Sequence, residues 1–163
     1  QGLVLKMSCK ENITLAKLPN LTKNGFVDNR QEMQLYQEYK DKLSIATPSH
    51  EQQVVNLSGG NQQKIVIGKW MSLAPRLFIL DEPTRGIDVG SKAEIHKLIA
   101  KLAESNLAVL VISSEMPEIM GICDRIITMR EGKVSGEFSG DNITEENLIK
   151  AIAHTEGVEK VGA

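Results

Sequence analysis

Three short groups of residues between positions 57 and 88 carry the side chains that could do chemistry. In the first group, residues 57–64 read Leu-Ser-Gly-Gly-Asn-Gln-Gln-Lys, which favours a helix that begins after Ser58. The first amides of a helix lack partners inside it and point toward anions. Gly59 and Gly60 carry no side chain, so a phosphate could approach the backbone closely, and the Ser58 hydroxyl would add a donor. The alternative is that Ser58 is a plain helix N-cap followed by a flexible turn.

The second group is a pair of acids, Asp81 and Glu82, that follows the four apolar residues 77–80. An acid at the carboxyl end of a buried strand lies where α/β sheets bind ligands. Asp81 could hold a magnesium ion, mainly through water, because magnesium keeps most of its hydration shell. Glu82 could accept a proton from an attacking water. The alternative is two acids at a solvated strand end.

The third group is Gly-Ile-Asp at 86–88, in which Asp88 is either a helix N-cap or part of a loop that touches a partner nucleotide domain. Ser114 has a similar alternative, because it could simply cap a short helix. The first two groups suit nucleotide hydrolysis. A Gly-x4-Gly-Lys-Ser/Thr phosphate loop, the expected third part of such a site, does not occur in the 163 residues.

Length and composition suit a globular protein of one domain or a little more: 163 residues, 41% hydrophobic and 25% charged. No apolar run is long enough to span a bilayer. The net charge of −2, with both signs interspersed, gives no argument for nucleic-acid binding. Cys9 and Cys123 match no metal or redox spacing and are expected to be reduced core thiols of a cytosolic protein. The start at Gln1, with no signal peptide, suggests a fragment or a processed chain.

The first 74 residues are predicted to be mainly helical. A short helix is expected over residues 7–16, and a longer one from Asp28 to about residue 45, with Asp28 and Gln31 resembling a capping box. A third helix is expected from Gly59 to about residue 74, largely buried and ended by the following proline.

From residue 75 the order strand, helix, strand, short helix predicts a three-layer α/β unit with a parallel sheet. Residues 77–80 and 107–112 are apolar runs, as in strands covered on both faces. Ser91 and Glu94 are expected to form a capping box at the start of the helix that connects these two strands. After these elements we expect a hairpin with its turn at 131–132, and a last helix that starts at residue 144.

Together the three groups resemble the motifs of ABC-transporter ATPases. Residues 57–64 are similar to the signature motif, residues 77–84 (Leu-Phe-Ile-Leu-Asp-Glu-Pro-Thr) to the Walker B strand with its general base, and residues 86–88 to the D-loop. The particular residues in and around these motifs narrow the resemblance to the second nucleotide-binding half of bacterial monosaccharide importers of the ribose, galactose and xylose type. The stretches that carry it are Gly-Asn-Gln-Gln-Lys at 60–64, Thr-Arg-Gly-Ile-Asp-Val-Gly at 84–90 and Ile-Ser-Ser-Glu-Met-Pro-Glu-Ile at 112–119.

The resemblance implies a partial P-loop NTPase core of the ABC ATPase type and a mostly helical N-terminal subdomain. Residues 1–74 would be the helical subdomain that carries the signature. Residues 75–140 would be the α/β core with Walker B, the D-loop and the hairpin, and residues 141–163 a C-terminal helix and tail. It also implies that the chain is truncated before the signature region and lacks Walker A.

The resemblance also assigns roles to individual residues. ATP held by the other half would be contacted by the nucleotide-binding residues Ser58, Gly59, Gly60, Gln62 and Asp88. Asp81 would hold Mg²⁺ through water, and Glu82 would be the catalytic base. The switch histidine of the family aligns with Ser114, so the catalytic site that contains Glu82 is expected to be degenerate.

The function implied by the resemblance is that of a C-terminal fragment of an ATP-hydrolysing subunit that powers sugar import. Its partners would be the N-terminal nucleotide-binding half and membrane permease subunits, not nucleic acid, at the cytoplasmic face of the bacterial inner membrane. The isolated chain is expected to be inactive without Walker A and prone to self-associate. The alternatives are an SMC-type or other non-transport ABC ATPase, against which the short helical segment argues, and a non-catalytic regulatory module.

Overall fold

The computed structural model describes residues 2–153. The chain divides into two compact units, Gln1–Leu110 and Val111–Ala163. The three segments expected from the sequence, with boundaries after residues 74 and 140, do not follow this division and stay a prediction; residues 154–163 of the last segment lie outside the described part. None of the described helices has both the length and the apolar character needed to cross a bilayer.

The first helix, α1, covers Cys9–Thr14 and is shorter at both ends than the predicted helix over residues 7–16. Its start is fixed by a capping box in which the Ser8 hydroxyl accepts from the Glu11 amide, while the Glu11 carboxylate accepts from the Ser8 amide at 2.7 Å. The chain then tightens into a 3-10 helix, Leu15–Leu21. The prediction missed this capping box, which sets the true first residue of the helix.

Two strands of two residues each, β1 (Thr22–Lys23) and β2 (Phe26–Val27), follow in a small antiparallel hairpin. Its turn is Asn24-Gly25, with φ of 52° and 82°. An Asn-Gly pair with both φ values positive is a favoured hairpin turn. The sequence predicted only a break at this position.

Helix α2, Asn29–Lys42, begins at the predicted Asp28 and ends three residues before the predicted residue 45. The Asp28 carboxylate accepts from the amides of Arg30 and Gln31, as a helix N-cap does. The Gln31 side chain donates to the Asp28 carboxylate instead of accepting from its backbone, so the predicted capping box is only half formed.

Helix α3, Gly59–Met71, begins at the N-cap Ser58, as predicted, and ends before the predicted residue 74. It does not have the expected burial all round, because Trp70 is 45% exposed. The helix packs on α1, and the Tyr39 hydroxyl of α2 donates to its Met71 carbonyl at 2.9 Å. This part of the core contains the fully buried residues Cys9, Ile13, Val54, Ile65 and Ile67. Burial raises the pKa of the Cys9 thiol, which is free and lies in the core as predicted.

Strand β3 (Leu77–Asp81), helix α4 (Val89–Glu104) and strand β4 (Ala108–Ile112) follow in the predicted order. The two strands are hydrogen-bonded neighbours and run parallel, which confirms the predicted α/β class with a parallel sheet. The expectation that both faces of β3 are covered is wrong for this chain. Phe78 is 6% exposed, whereas Leu77 and Ile79 are 52% and 56% exposed, so burial alternates along the strand.

The second unit contains α5 (Met116–Ile122), β5 (Arg125–Arg130), β6 (Lys133–Ser139) and α6 (Glu145–Ala153). The predicted hairpin is confirmed, since β5 and β6 pair antiparallel around Glu131-Gly132, whose φ values are 51° and 76°. The last helix begins as predicted after Thr144, whose hydroxyl accepts from the Asn147 amide at 3.2 Å. The core of this unit is a cluster around Ile126, Phe138 and Leu148.

Candidate functional site

The turn at the start of α3 is held by its own side chains. The Ser58 hydroxyl accepts from the Asn61 backbone amide at 3.4 Å and from the Asn61 side-chain amide at 3.0 Å. The Asn61 carbonyl oxygen accepts in turn from the Ala46 amide at 2.8 Å. Ser58 and Gly59 are exposed, whereas Gly60 is buried. The structure therefore confirms Ser58 as a helix N-cap, and the exposed turn keeps its first amides available to an anion.

Gln62 holds the segment that leads into the same turn. Its side-chain amide donates to the carbonyls of Val54 and Leu57, both at 3.1 Å. This fixes the short segment that leads into the turn, because hydrogen bonds to two carbonyls three residues apart hold that backbone against α3. The predicted contact between Gln62 and a nucleotide stays a prediction.

The loop 86–88 lies directly against this turn. A methyl group placed on Gly59 would come within 3.0 Å of the Ile87 side chain. A methyl group placed on Gly60 would lie 2.5 Å from the Ser91 hydroxyl oxygen. Two of the three predicted groups therefore form one continuous surface where α3 and α4 begin side by side.

Asp88 is the N-cap of α4, and the predicted cap at Ser91 is wrong. One Asp88 oxygen accepts from the Ser91 amide at 2.9 Å, and the other accepts from the Ser91 hydroxyl at 2.8 Å. The hydrogen bond from the Ser91 amide lowers the pKa of the Asp88 carboxyl. The alternative of a plain cap is thus observed, while the contact with a partner nucleotide domain stays a prediction.

The predicted capping box between Ser91 and Glu94 is absent, because Glu94 has another partner. Its carboxylate accepts from the Lys64 ammonium at 2.8 Å, and the same ammonium donates to the Ser44 carbonyl at 3.0 Å. The Lys64 side chain is only 10% exposed. Sequence reasoning missed this pair; the only signal was a lysine inside the buried pattern of α3.

Asp81 and Glu82 lie at the carboxyl end of β3, where the sequence predicts them. Asp81 is exposed, and Glu82 has a φ of 48°, which is left-handed backbone for a residue that is not glycine. Such backbone costs roughly 1–3 kcal/mol and is concentrated at functional sites. The turn continues with a hydrogen bond from the Arg85 amide to the Glu82 carbonyl at 3.2 Å.

A magnesium ion would fit the chemistry of Asp81. Among residues 2–153 no group of three or more potential metal-ligating side chains comes together. Magnesium bound with a nucleotide needs only one or two carboxylates, since water and phosphate oxygens complete its coordination. One exposed carboxylate at a strand end therefore suits this ion better than it would suit zinc or calcium.

Ser114 belongs to the second unit, in the segment before α5. The alternative that it caps this helix is wrong, because the N-cap residue is Glu115. The neighbouring Ser113 hydroxyl accepts from the Glu115 amide at 3.0 Å and donates to the Glu118 carboxylate. The assignment of Ser114 to the switch position stays a prediction.

Comparison with known proteins decides the family. The sequence profile described as ABC transporter matches residues 2–85, just over half of the chain. The chain belongs to the ABC transporter family. The matched residues of this family member include the turn at Ser58 and both acids at the end of β3.

Three curated relatives are similar over nearly the whole chain. The ribose import ATP-binding protein of Roseobacter denitrificans is 45% identical over 153 residues. The L-arabinose transport ATP-binding protein of Geobacillus stearothermophilus is 47% identical over 154 residues. A putative ribose/galactose/methyl galactoside import ATP-binding protein of Rhizobium etli is 50% identical over 150 residues. The alignments cover 92–94% of this chain but only 29–30% of the relatives, so the chain spans under a third of their length.

Solved structures agree with the family at the level of fold. An inward-facing putative metal-chelate type ABC transporter matches with a TM-score of 0.77 at 20% identity, over 91% of this chain and 59% of that one. The ATP-binding cassette MJ0796, a dimer bound to ADP and Pi, matches with a TM-score of 0.69 at 23% identity, over 84% of this chain and 58% of that one. The fold is therefore that of an ABC ATPase domain, a P-loop NTPase fold.

Proposed function

We propose that this chain is part of an ATP-hydrolysing subunit that powers sugar import through an ABC transporter. The observation that carries the proposal is the surface on which α3 and α4 begin together, with the exposed turn at Ser58 beside the loop 86–88. The similarity to relatives described as ribose and L-arabinose transport proteins supports sugar as the cargo class.

In this proposal the chain is the C-terminal part of a second nucleotide-binding half, and its signature turn completes an ATP site on the other half. The Ser58 hydroxyl and the first amides of α3 would donate to phosphate oxygens of that ATP. Gln62 and Asp88 would complete this surface, the first by fixing the segment before the turn and the second by facing the partner half. Hydrolysis of this kind depends on positioning and charge stabilisation, which preformed donors supply.

The end of β3 would serve a different ATP. Asp81 would hold water in the coordination sphere of magnesium, which when bound neutralises phosphate charge. Glu82 would accept a proton from the attacking water. Ser114, at the switch position, has a short uncharged side chain and would give the transferred phosphate no cationic donor. We therefore infer that this second site is weak.

The implied partners follow from this role. The N-terminal nucleotide-binding half would carry the ATP that the signature turn completes, and permease subunits would hold the assembly at the cytoplasmic face of the inner membrane. Nucleic acid is not an expected partner, since the net charge is −2 and basic and acidic residues are interspersed along the chain.

Calorimetry of ATP binding tests the proposal directly. We expect no binding of ATP with magnesium to the isolated chain at micromolar concentrations, because its 163 residues contain no Gly-x4-Gly-Lys-Ser/Thr motif, the loop that cradles the α- and β-phosphates. A longer protein that joins a phosphate-loop segment to this chain should bind. Micromolar affinity of the isolated chain would contradict the proposal.

A further inference from the structure

Helices α3 and α4 approach each other closely at Gly60 and Ser91. A methyl group on Gly60 would lie 2.5 Å from Ser91 Oγ and 2.6 Å from Ser91 Cβ, distances that no side chain can tolerate without a shift. Gly60 is buried, whereas Gly59 is exposed. The absence of a side chain at residue 60 is therefore required by packing inside the chain, whatever the turn binds.

Ser91 connects this contact to the next loop. Its amide and hydroxyl both donate to the Asp88 carboxylate, so the orientation of Asp88 follows the position of Ser91. Ile87 lies against Gly59 on the exposed side of the same contact. The turn 58–60 and the loop 86–88 thus share two neighbouring contacts, one buried and one exposed.

A second connection lies one turn further along both helices. Lys64 donates to Glu94 at 2.8 Å and to the Ser44 carbonyl at 3.0 Å, and its side chain is 10% exposed. A poorly solvated ammonium needs its acceptors, because loss of one leaves a charge without compensation. The hydrogen bond from Lys64 also lowers the pKa of the Glu94 carboxyl.

We propose that the turn 58–60 and the loop 86–88 form one rigid block, with Ser91 and Lys64 as the residues that position it. A phosphate that displaces the turn would then displace the loop with it. The block requires no nucleotide, whereas its use in hydrolysis rests on the proposed function.

A size exchange tests the buried contact. Alanine is a better helix former than glycine, so Gly60→Ala would raise the melting temperature if nothing opposed it. We expect it to lower the melting temperature, and Ser91→Gly in the same chain to restore it, since Ser91 Cα lies 3.7 Å from the added methyl group. Gly121→Ala in α5 is the control, because no atom lies within 4 Å of its added methyl group. A Gly60→Ala chain as stable as the wild type, or no restoration by Ser91→Gly, would overturn the proposal.

Hydrogen exchange tests the block without nucleotide. We expect Lys64→Met to speed amide exchange about tenfold in both segments, 59–62 and 86–92, with Lys64→Arg close to wild type. Arg125→Met is the matched control, because Arg125 makes a similar contact with Glu137 at 2.9 Å but is 65% exposed. Faster exchange in one segment only, or the same effect in Lys64→Arg, would reject the block.

Failure of the block can be told apart from failure of the proposed function. In a longer protein with a phosphate loop, we expect Lys64→Met to lower ATPase activity and Lys64→Arg to keep most of it. If Lys64→Met speeds exchange in both segments but the wild-type longer protein has no ATPase activity, the proposed function is rejected and the block stands. Normal ATPase activity in a Lys64→Met protein whose two segments both exchange faster would reject the role of the block in hydrolysis.

Discussion

The beginnings of α3 and α4 differ from the end of β3 in how completely this chain builds them. Ser58 and Asp88 each cap a helix, and the two helices meet through a glycine and an ion pair between Lys64, which is 10% exposed, and Glu94, which is 63% exposed. At the end of β3, by contrast, Ile79 is 56% exposed and Glu82 has left-handed backbone. The surface proposed to serve another half's nucleotide is thus assembled within the chain, while the strand proposed to serve its own nucleotide has one open side.

The difference teaches that the two proposed sites depend on different things. Polar contacts between near neighbours in the fold, such as that between Lys64 and Glu94, need only this chain. The apolar side of β3 that carries Leu77 and Ile79 needs a further surface, because exposed apolar area is costly in water.

The largest expected effect contrasts two neighbouring residues of β3. Phe78 is 6% exposed, so Phe78→Ala should destabilise the chain by about 3–5 kcal/mol through lost packing and a cavity. Ile79→Ala should cost about 1 kcal/mol or less, because that side chain is already half in water. Urea unfolding of both variants measures the difference. Equal losses would mean that both sides of the strand are covered in solution.

The next effect concerns association through the open side of β3. We expect the isolated chain to self-associate or to be only marginally stable, because the row of Leu77 and Ile79 can pair with another apolar surface. Ile79→Lys should reduce association with little change in the unfolding midpoint. Sedimentation at several concentrations, together with thermal unfolding, checks this. A strictly monomeric wild-type chain with an ordinary cooperative melt would contradict it.

The smallest expected effect concerns two tyrosines of α2, in the part of the fold that this chain completes by itself. Tyr39 donates its hydroxyl to the Met71 carbonyl at 2.9 Å, whereas the Tyr36 hydroxyl is buried with no hydrogen-bond partner among the described residues. Tyr39→Phe should therefore cost about 1 kcal/mol, while Tyr36→Phe should be neutral or stabilising. Chemical denaturation of the two variants, which lie one turn apart on α2, decides this. A loss in Tyr36→Phe as large as in Tyr39→Phe would reveal a bound water at residue 36.

Sequence patterns predicted the features that local chemistry decides. Ser58 and Asp28 begin helices where they were predicted, because an N-cap acts on amides two or three residues away. The hairpin at 131–132 follows from the same kind of short-range rule. The motifs of the site lie on a helix start, a strand end and a loop, as their spacing indicates.

The features that were missed depend on residues far apart in the sequence. Asp88 and Ser91 are both residue types that favour a helix N-cap, and they lie three residues apart. Asp88 caps α4, whereas Ser91 packs on Gly60. Glu94 pairs with Lys64, thirty positions earlier, instead of with the backbone near Ser91. The one-sided burial of β3 could not be read from an apolar run, since the run looks the same whether one face or both are covered.

The most direct test of the central claim is the ATPase activity of a longer protein that contains this chain and a phosphate loop. Ser58→Arg should nearly abolish turnover, because it puts bulk and charge where the other half's ATP is proposed to dock. Glu82→Gln would remove the proposed base, a group that normally contributes about 10²–10⁴-fold, and we expect a smaller loss because Ser114 at the proposed switch position would make that site weak. Ser139→Arg, an exposed serine outside the site, is the control and should keep full activity. If Glu82→Gln silences the enzyme while Ser58→Arg leaves it active, the assignment of the two sites is reversed and the account is wrong.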